Sequence, residues 1–139
     1  MLIRTRNTFR PPLEKVITPT ALILVDDDVV RTYLNADVEF SRESATDNIE
    51  AVWDLIKDRR VYHLMVPDAS TQITMGMGEI GDERFEIKKK GEALVIKTLG
   101  HRILSKAFLK ARKHKYPVRV FEKEQEAIDR FDSLRQQEH

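Results

Sequence analysis

Cysteine is absent from the 139-residue sequence, which excludes disulfides, thiolate nucleophiles and cysteine metal sites together and fits a reducing, cytoplasmic setting. A surplus of either charge is also missing. The 24 basic and 23 acidic side chains nearly cancel to a formal net charge of +1, so no global field draws the chain toward nucleic acid or an anionic membrane. Nucleic acid is therefore not expected among its partners. No apolar run approaches the roughly 18 to 20 residues that span a bilayer, and the opening MLIRTRNTFRPPLEKV lacks the apolar stretch of a secretion signal. Neither a membrane span nor secretion is expected. Phosphate-binding and dinucleotide motifs are missing as well: the glycines of MGMG are followed by no Gly-Lys-Ser/Thr and match no G-x-G-x-x-G. No Ser/His/acid constellation appears in a recognisable motif, and no paired carboxylates stand apart from ordinary surface acids. The expectation is a non-enzymatic protein with no cofactor and no metal.

What is present is an α/β pattern of a size that suits one domain burying one core, with 41% apolar residues. Residues 92 to 131 read strand, helix, strand, helix with little slack, and apolar strands joined by a helical crossover must lie parallel and be covered by helices. Upstream, ALILV, the aspartates Asp26, Asp27 and Asp28, and VVRTYLNADVEF read as a hairpin with an acidic turn. The three aspartates lack the alternating oxygens, glycine and closing Glu of a calcium loop, so they are read as turn formers. Ser44 with Asp47 predicts a helix start, after which Ile49, Val52, Trp53 and Ile56 share one face, with Trp53 an apolar anchor beneath the sheet. VYHLMV at 61 to 66 is a strand that Pro67 stops, and its His63 is read as structural. A helix is predicted from about Met75 to Lys90, with Lys88, Lys89 and Lys90 complementing its negative pole and Gly91 as its left-handed exit. Another runs from about Gly100 to Lys115, with Leu104, Ala107, Phe108 and Ala111 inward and Arg102, Lys106, Lys110 and Lys113 on a solvated face. The strand VRVF then turns Val118 and Val120 inward, and a last helix from about Lys123 to Leu134 buries Ala127, Ile128, Phe131 and Leu134.

The expected organisation is a basic, irregular arm over residues 1–19, one α/β domain over 20–135 and a polar tail over 136–139. The arm is a further candidate for dimerisation. Open α/β sheets present their sites beyond the carboxyl ends of strands, which singles out two groups of residues. In the loop PDASTQITMGMG, Asp68, Ser70, Thr71 and Thr74 supply hydroxyls and a carboxylate, and Gly76 lets the backbone come close. The ordinary reading of the same residues as turns and helix caps stays open beside it. At the start of the basic helix, Thr98, Gly100, His101 and Arg102 form a candidate anion or ligand site that uses helix N-terminal amides.

The segment ALVIKTLGHRILSKAFLK, with its apolar strand, short polar turn, and helix with an early Arg and a late Phe-Leu-Lys, resembles the STAS/SpoIIAA-like domains of bacterial regulatory proteins. The small stand-alone STAS/SEC14-like proteins are the branch it is most similar to. PVRVFEKEQEAIDRF is similar to the Pro, strand, acidic cap and Glu-Ala helix that follow in that family, and the likeness spans about Thr20 to Leu134. It implies a mixed sheet of about five strands with an N-terminal hairpin, flanked by about four helices. It also implies a role in protein interaction, such as antagonising an anti-sigma factor through a phosphorylated loop. Here the phosphate-accepting serine of the Asp-Ser-Ser-Gly-like motif falls at Met75, so the usual phospho-switch is not expected to carry over. The leading expectation is a regulatory interaction module whose partner is a regulator, kinase or anti-sigma-like factor, with a homodimer left open. The alternative is a module that binds a small anionic or lipid-like ligand in a cleft beyond the strand ends.

Overall fold

The computed structural model describes residues 13–73, 87–111 and 116–138. Their elements run β1 (Glu14–Ile17), β2 (Ala21–Asp26), β3 (Val29–Leu34), β4 (Glu39–Phe40), α1 (Arg42–Ile56), β5 (Val61–Val66), β6 (Gln72–Ile73), β7 (Lys89–Val95), α2 (Leu99–Ala111), β8 (Val118–Phe121) and α3 (Glu124–Gln137). Six strands form one mixed sheet in the order β1-β2-β3-β5-β7-β8, while β4 and β6 pair separately. The first three strands are antiparallel neighbours, and β3, β5, β7 and β8 are parallel. The α/β class and the parallel half are as the sequence predicts. The counts are corrected: six strands rather than five in the main sheet, and three helices among the described residues rather than four.

Alternation along each strand builds two cores, one per face, because successive side chains of a strand point to opposite sides. On one face Ala21, Ile23, Val30 and Val61 pack with Val52 and Ile56 of α1. On the other, Tyr62, Leu64, Ala93 and Val95 pack with Ala127, Phe131 and Leu134 of α3. The helix face expected around Phe131 is therefore the one that is buried, with Ile128 partly so. Val118 and Val120 are only half-buried, because β8 is the sheet edge and has a strand on one side alone.

Several local expectations are overturned. The helix start lies three residues earlier than Ser44: Ser41 has extended backbone and its hydroxyl accepts the Ser44 N–H at 3.3 Å. Trp53 is only partly buried rather than a core anchor, with Lys88 Nζ 5.8 Å from its ring centroid. The arm expected to be irregular contains β1, and the buried Asn48 of α1 holds the β1–β2 turn by bonding Thr18 and Thr20. The polar tail is helical through Gln137.

The largest correction concerns Lys89, Lys90 and Gly91, which open strand β7 instead of closing a helix; residues 75–86 of that predicted helix lie outside the described residues. Charge at a helix end and charge in a strand look alike in sequence, and here each lysine finds its own compensation. Gly91 is needed for space, not for a left-handed turn: a Cβ there would stand 3.1 Å from both Leu134 Cδ1 and Tyr62 Cδ1.

Asp28, read as a turn former, also locks the hairpin to the last helix. It receives Arg135 Nε at 2.9 Å and Nη2 at 2.7 Å, with Lys90 Nζ at 3.5 Å. Burial pushes its carboxyl up, but the hydrogen bonds and charges of Arg135 and Lys90 outweigh this and leave it below the ordinary Asp value of 3.8. A carboxyl lowered by folding stabilises above its unfolded pKa and loses that contribution as pH falls through the folded value. Asp28→Asn is accordingly expected to lower stability by about 1–2 kcal/mol at pH 7. In paired urea titrations the gap from wild type should close below about pH 4; a gap that persists unchanged at pH 3 would contradict this.

Candidate functional site

The carboxyl ends of β5 and β7 deliver the two predicted groups to the same place. After Val66, the loop folds on itself: Asp68 Oδ2 accepts the Ser70 amide at 3.0 Å and the Ser70 hydroxyl at 2.7 Å, and the Thr71 hydroxyl accepts the Asp68 amide at 2.9 Å. Those two bonds from Ser70, with smaller help from the charge of Lys97, hold the exposed Asp68 carboxyl below the usual range. The loop is also tied to the chain after β3, for Thr71 donates to the Asn35 carbonyl at 3.1 Å and Ser70 accepts the Asp37 amide at 2.8 Å. Asp37 itself adopts a positive φ of 59°, which Asp tolerates better than most residues. Thr74 and Gly76 lie outside the described residues.

After Val95, Thr98 begins α2 by accepting the His101 amide at 3.0 Å, and Arg102 N–H returns to the Thr98 carbonyl. His101 is buried. Its Nδ1 accepts the Lys97 amide at 3.3 Å, which leaves Nε2 to carry the proton and donate to the Thr71 carbonyl at 3.1 Å. The two sequence-predicted groups are thus one surface, joined by a bond between residues thirty apart. Removing it by His101→Ala should loosen the loop without unfolding the domain. Hydrogen exchange at the Asp68 and Thr71 amides is expected to accelerate by about tenfold or more, and unchanged protection there would show that the loop does not depend on His101.

These bonds also bear on the anion reading. Thr98 and His101 already spend their polar atoms on backbone, and the Arg102 guanidinium pairs with Glu122. Gly100 is exposed, and a Cβ there would meet nothing closer than Thr98 Oγ1 at 3.6 Å. A solvent-open cleft of about 470 Å³ does lie alongside, lined by Ile96, Lys97, Thr98, Leu99, Arg102 and Glu122. The outward side of α2 differs from the solvated face expected of it. Ala107 is exposed rather than inward, Leu104 is half-buried, and Leu99 and Ile103 stand out in solvent; the side chains of Phe108, Ala111 and Lys113 lie outside the described residues.

A second polar cluster, missed by sequence reasoning, crosses the three central strands. Thr32 Oγ1 lies 3.0 Å from His63 Nε2, His63 Nδ1 lies 2.7 Å from Glu92 Oε2, and Lys89 Nζ donates to both Glu92 oxygens at 3.2 and 3.1 Å. All four side chains are buried. Lys89 and Glu92 share a face only because β7 carries an extra residue at Lys90, where Val61 pairs with Lys89 but Tyr62 pairs with Gly91. Burial alone would push the Glu92 carboxyl up; the Lys89 charge and the His63 bond reverse that and hold it at about 2. Glu92 is therefore ionised, so His63 Nδ1 donates to it, while Nε2 lies in hydrogen-bond contact with the Thr32 hydroxyl. Hydroxyl, imidazole and carboxylate in that order are the parts of a nucleophilic relay. Here Thr32 is 2% exposed and the carboxylate is neutralised by Lys89, an arrangement that cross-braces the sheet rather than presenting a nucleophile. Nothing short of strand register could have revealed it, because 32, 63 and 92 have no local spacing relation.

The architecture thus defines an α/β domain with a mixed sheet and a built surface at the carboxyl ends of its parallel strands. Residues 23–133 match the model of a family described as a domain of unknown function (DUF7793), and the chain belongs to that family. No curated protein matches the chain, and no solved structure does. No helix among the described residues is long and apolar enough to cross a membrane.

Proposed function

We propose that this domain is a non-enzymatic regulatory interaction module of the STAS/SpoIIAA-like kind, acting in the cytoplasm on a protein partner such as a kinase or an anti-sigma-like factor. The observation that carries the reading is a pair of large aliphatic side chains, Leu99 and Ile103, left 72% and 60% exposed on one face of α2. The first turn of that helix is pinned to the 68–71 loop by the His101–Thr71 bond. An aliphatic pair on a rigid element beside an ordered polar loop has the composition of an interface patch, an apolar centre with a polar rim. A mixed sheet led by an antiparallel hairpin is also the architecture that the family resemblance implies. With Met75 in place of the phosphate-accepting serine, recognition in this reading does not run through the usual phospho-switch.

The test places a photo-crosslinking residue at position 103 in cells of origin, with Glu50 on the exposed side of α1 as the control site. One protein species is expected to be captured from 103 and not from 50. A second reading, binding of a small anionic or lipid-like molecule, is favoured by the cleft beside Leu99. Native mass spectrometry of the purified protein separates the two: no protein adduct at 103, together with a retained small-molecule mass, would replace the interaction reading with the ligand reading.

A further inference from the structure

The outward stripe of α2 has a spacing that points to the shape of its occupant. Leu99, Ile103, Lys106 and Lys110 are separated by four, three and four residues. At 100° per residue they fall within a strip about 60° wide. All four are exposed. A 4-3-4 spacing is the seam of a helix that receives a second helix along its length, and residues 99–110 span about 18 Å at 1.5 Å per residue. The seam is divided, aliphatic over its first half and cationic over its second. Charge along the helix is also lopsided. From Lys97 to Lys110 the chain has four Lys or Arg and no Asp or Glu, in a sequence whose totals are 24 and 23, and Arg102 is paired with Glu122.

We infer that this stripe is a docking seam for one acidic amphipathic helix of a partner protein, apolar against Leu99 and Ile103 and carboxylate-bearing against Lys106 and Lys110. The inference rests on the interaction reading above and specifies the partner's chemistry. The 470 Å³ cleft opens where the seam begins, with Leu99 in its wall, and has room for a large apolar side chain at the end of such a helix. A second copy of the same stripe is a poor occupant. Laid antiparallel it sets lysines on Leu99 and Ile103, and laid parallel it sets Lys106 and Lys110 against their own copies, so neither arrangement neutralises charge. A bilayer is a poor occupant too, since half of the stripe's length is lysine and would hold the aliphatic pair at the headgroup level.

The experiment uses fluorescein-labelled helical peptides of about four turns, with two Leu and two Glu at seam positions in both orders, and matched peptides carrying Lys in place of the seam Glu. Fluorescence anisotropy with the full chain should show one acidic order binding at least about tenfold tighter than its Lys counterpart, more so at low salt. Ile103→Glu should weaken that binding by about tenfold or more, and the double variant K106E/K110E should reverse the preference toward the Lys peptide. Each variant changes an exposed side chain and is checked by circular dichroism and thermal melting. Equal binding of acidic and basic peptides, or no reversal by the charge swap, overturns the seam. Binding to phosphatidylglycerol vesicles that is lost in Ile103→Glu, with no peptide preference, would assign the stripe to a lipid surface instead. Capture of a protein from position 103 without any acidic preference would sink the seam and leave the interaction reading standing; no capture at all would sink that reading itself.

Discussion

Glu92→Ala should destabilise the domain by about 3–5 kcal/mol, because it leaves the Lys89 ammonium and the His63 N–H buried without their shared acceptor. Both side chains lie within 3.2 Å of the Glu92 oxygens, and Glu92 is itself 6% exposed. Removing charge from both ends at once should be far milder. In the double variant K89M/E92Q the glutamine oxygen still accepts from His63 while no unpaired charge remains, and most of the lost stability is expected to return. Urea unfolding of wild type, K89M, E92Q and K89M/E92Q measures this as a coupling energy. A Glu92→Ala loss under about 1 kcal/mol would mean the cluster is not the brace its geometry describes. The pH dependence has a definite sign. Glu92 falls from an ordinary 4.5 to about 2 on folding, so its contribution is complete above about pH 4.5 and is lost as pH drops toward 2. The advantage of wild type over Glu92→Gln should therefore shrink as pH falls across that interval.

Phe131→Ala is expected to have an effect of the same order through different physics, about 3–5 kcal/mol from lost burial and the cavity left behind. Phe131 is almost fully buried and stacks on Tyr62 with ring centroids 5.1 Å apart and planes 28° from parallel. Tyr62 in turn carries Lys90 Nζ at 4.6 Å and the Arg135 guanidinium at 5.3 Å from its centroid. The aromatic pair thus joins α3, the central strand β5 and the lock at Asp28. A melting temperature lower by roughly 10–20 °C would match that cost, whereas Phe131→Leu, which keeps an apolar side chain there, should lose less than half as much. A drop of only a degree or two for Phe131→Ala would show that α3 can repack without its aromatic.

Much of this was legible before any coordinates. VYHLMV is a short, nearly continuous apolar run because β5 is buried on both faces, while VRVF and the Ala127–Phe131–Leu134 stripe carry periods of 2 and 3.6 that survive folding. The places where reading failed share a cause. KKG at 89–91 resembles a helix terminus in charge and composition. It becomes strand because Glu92, Tyr62 and Asp28 compensate its lysines, and Gly91 lets Leu134 and Tyr62 pack closely against its backbone. β1 was hidden for a simpler reason: four residues beside Pro19 show too little alternation to be told from an arm. Similarly, the aliphatic stripe of α2 was obscured by its basic neighbours, which share the helix and suggest a uniformly solvated face.

The candidate surface divides in the same way. Asp68, Ser70 and Thr71 could be picked out as a loop beyond a strand end, and Thr98 to Arg102 as a helix start, since turn chemistry and capping are local. That they form one surface depends on the His101–Thr71 bond, and that His63 belongs to a four-residue brace depends on strand register and a bulge. By itself the sequence determined the α/β class, the parallel half of the sheet and the α3 face that fills one of its cores, because hydrophobic burial acts through local periodicity. Only the tertiary structure decided which polar groups meet, since a hydrogen bond or ion pair between residues thirty positions apart exists only once the sheet has set their register.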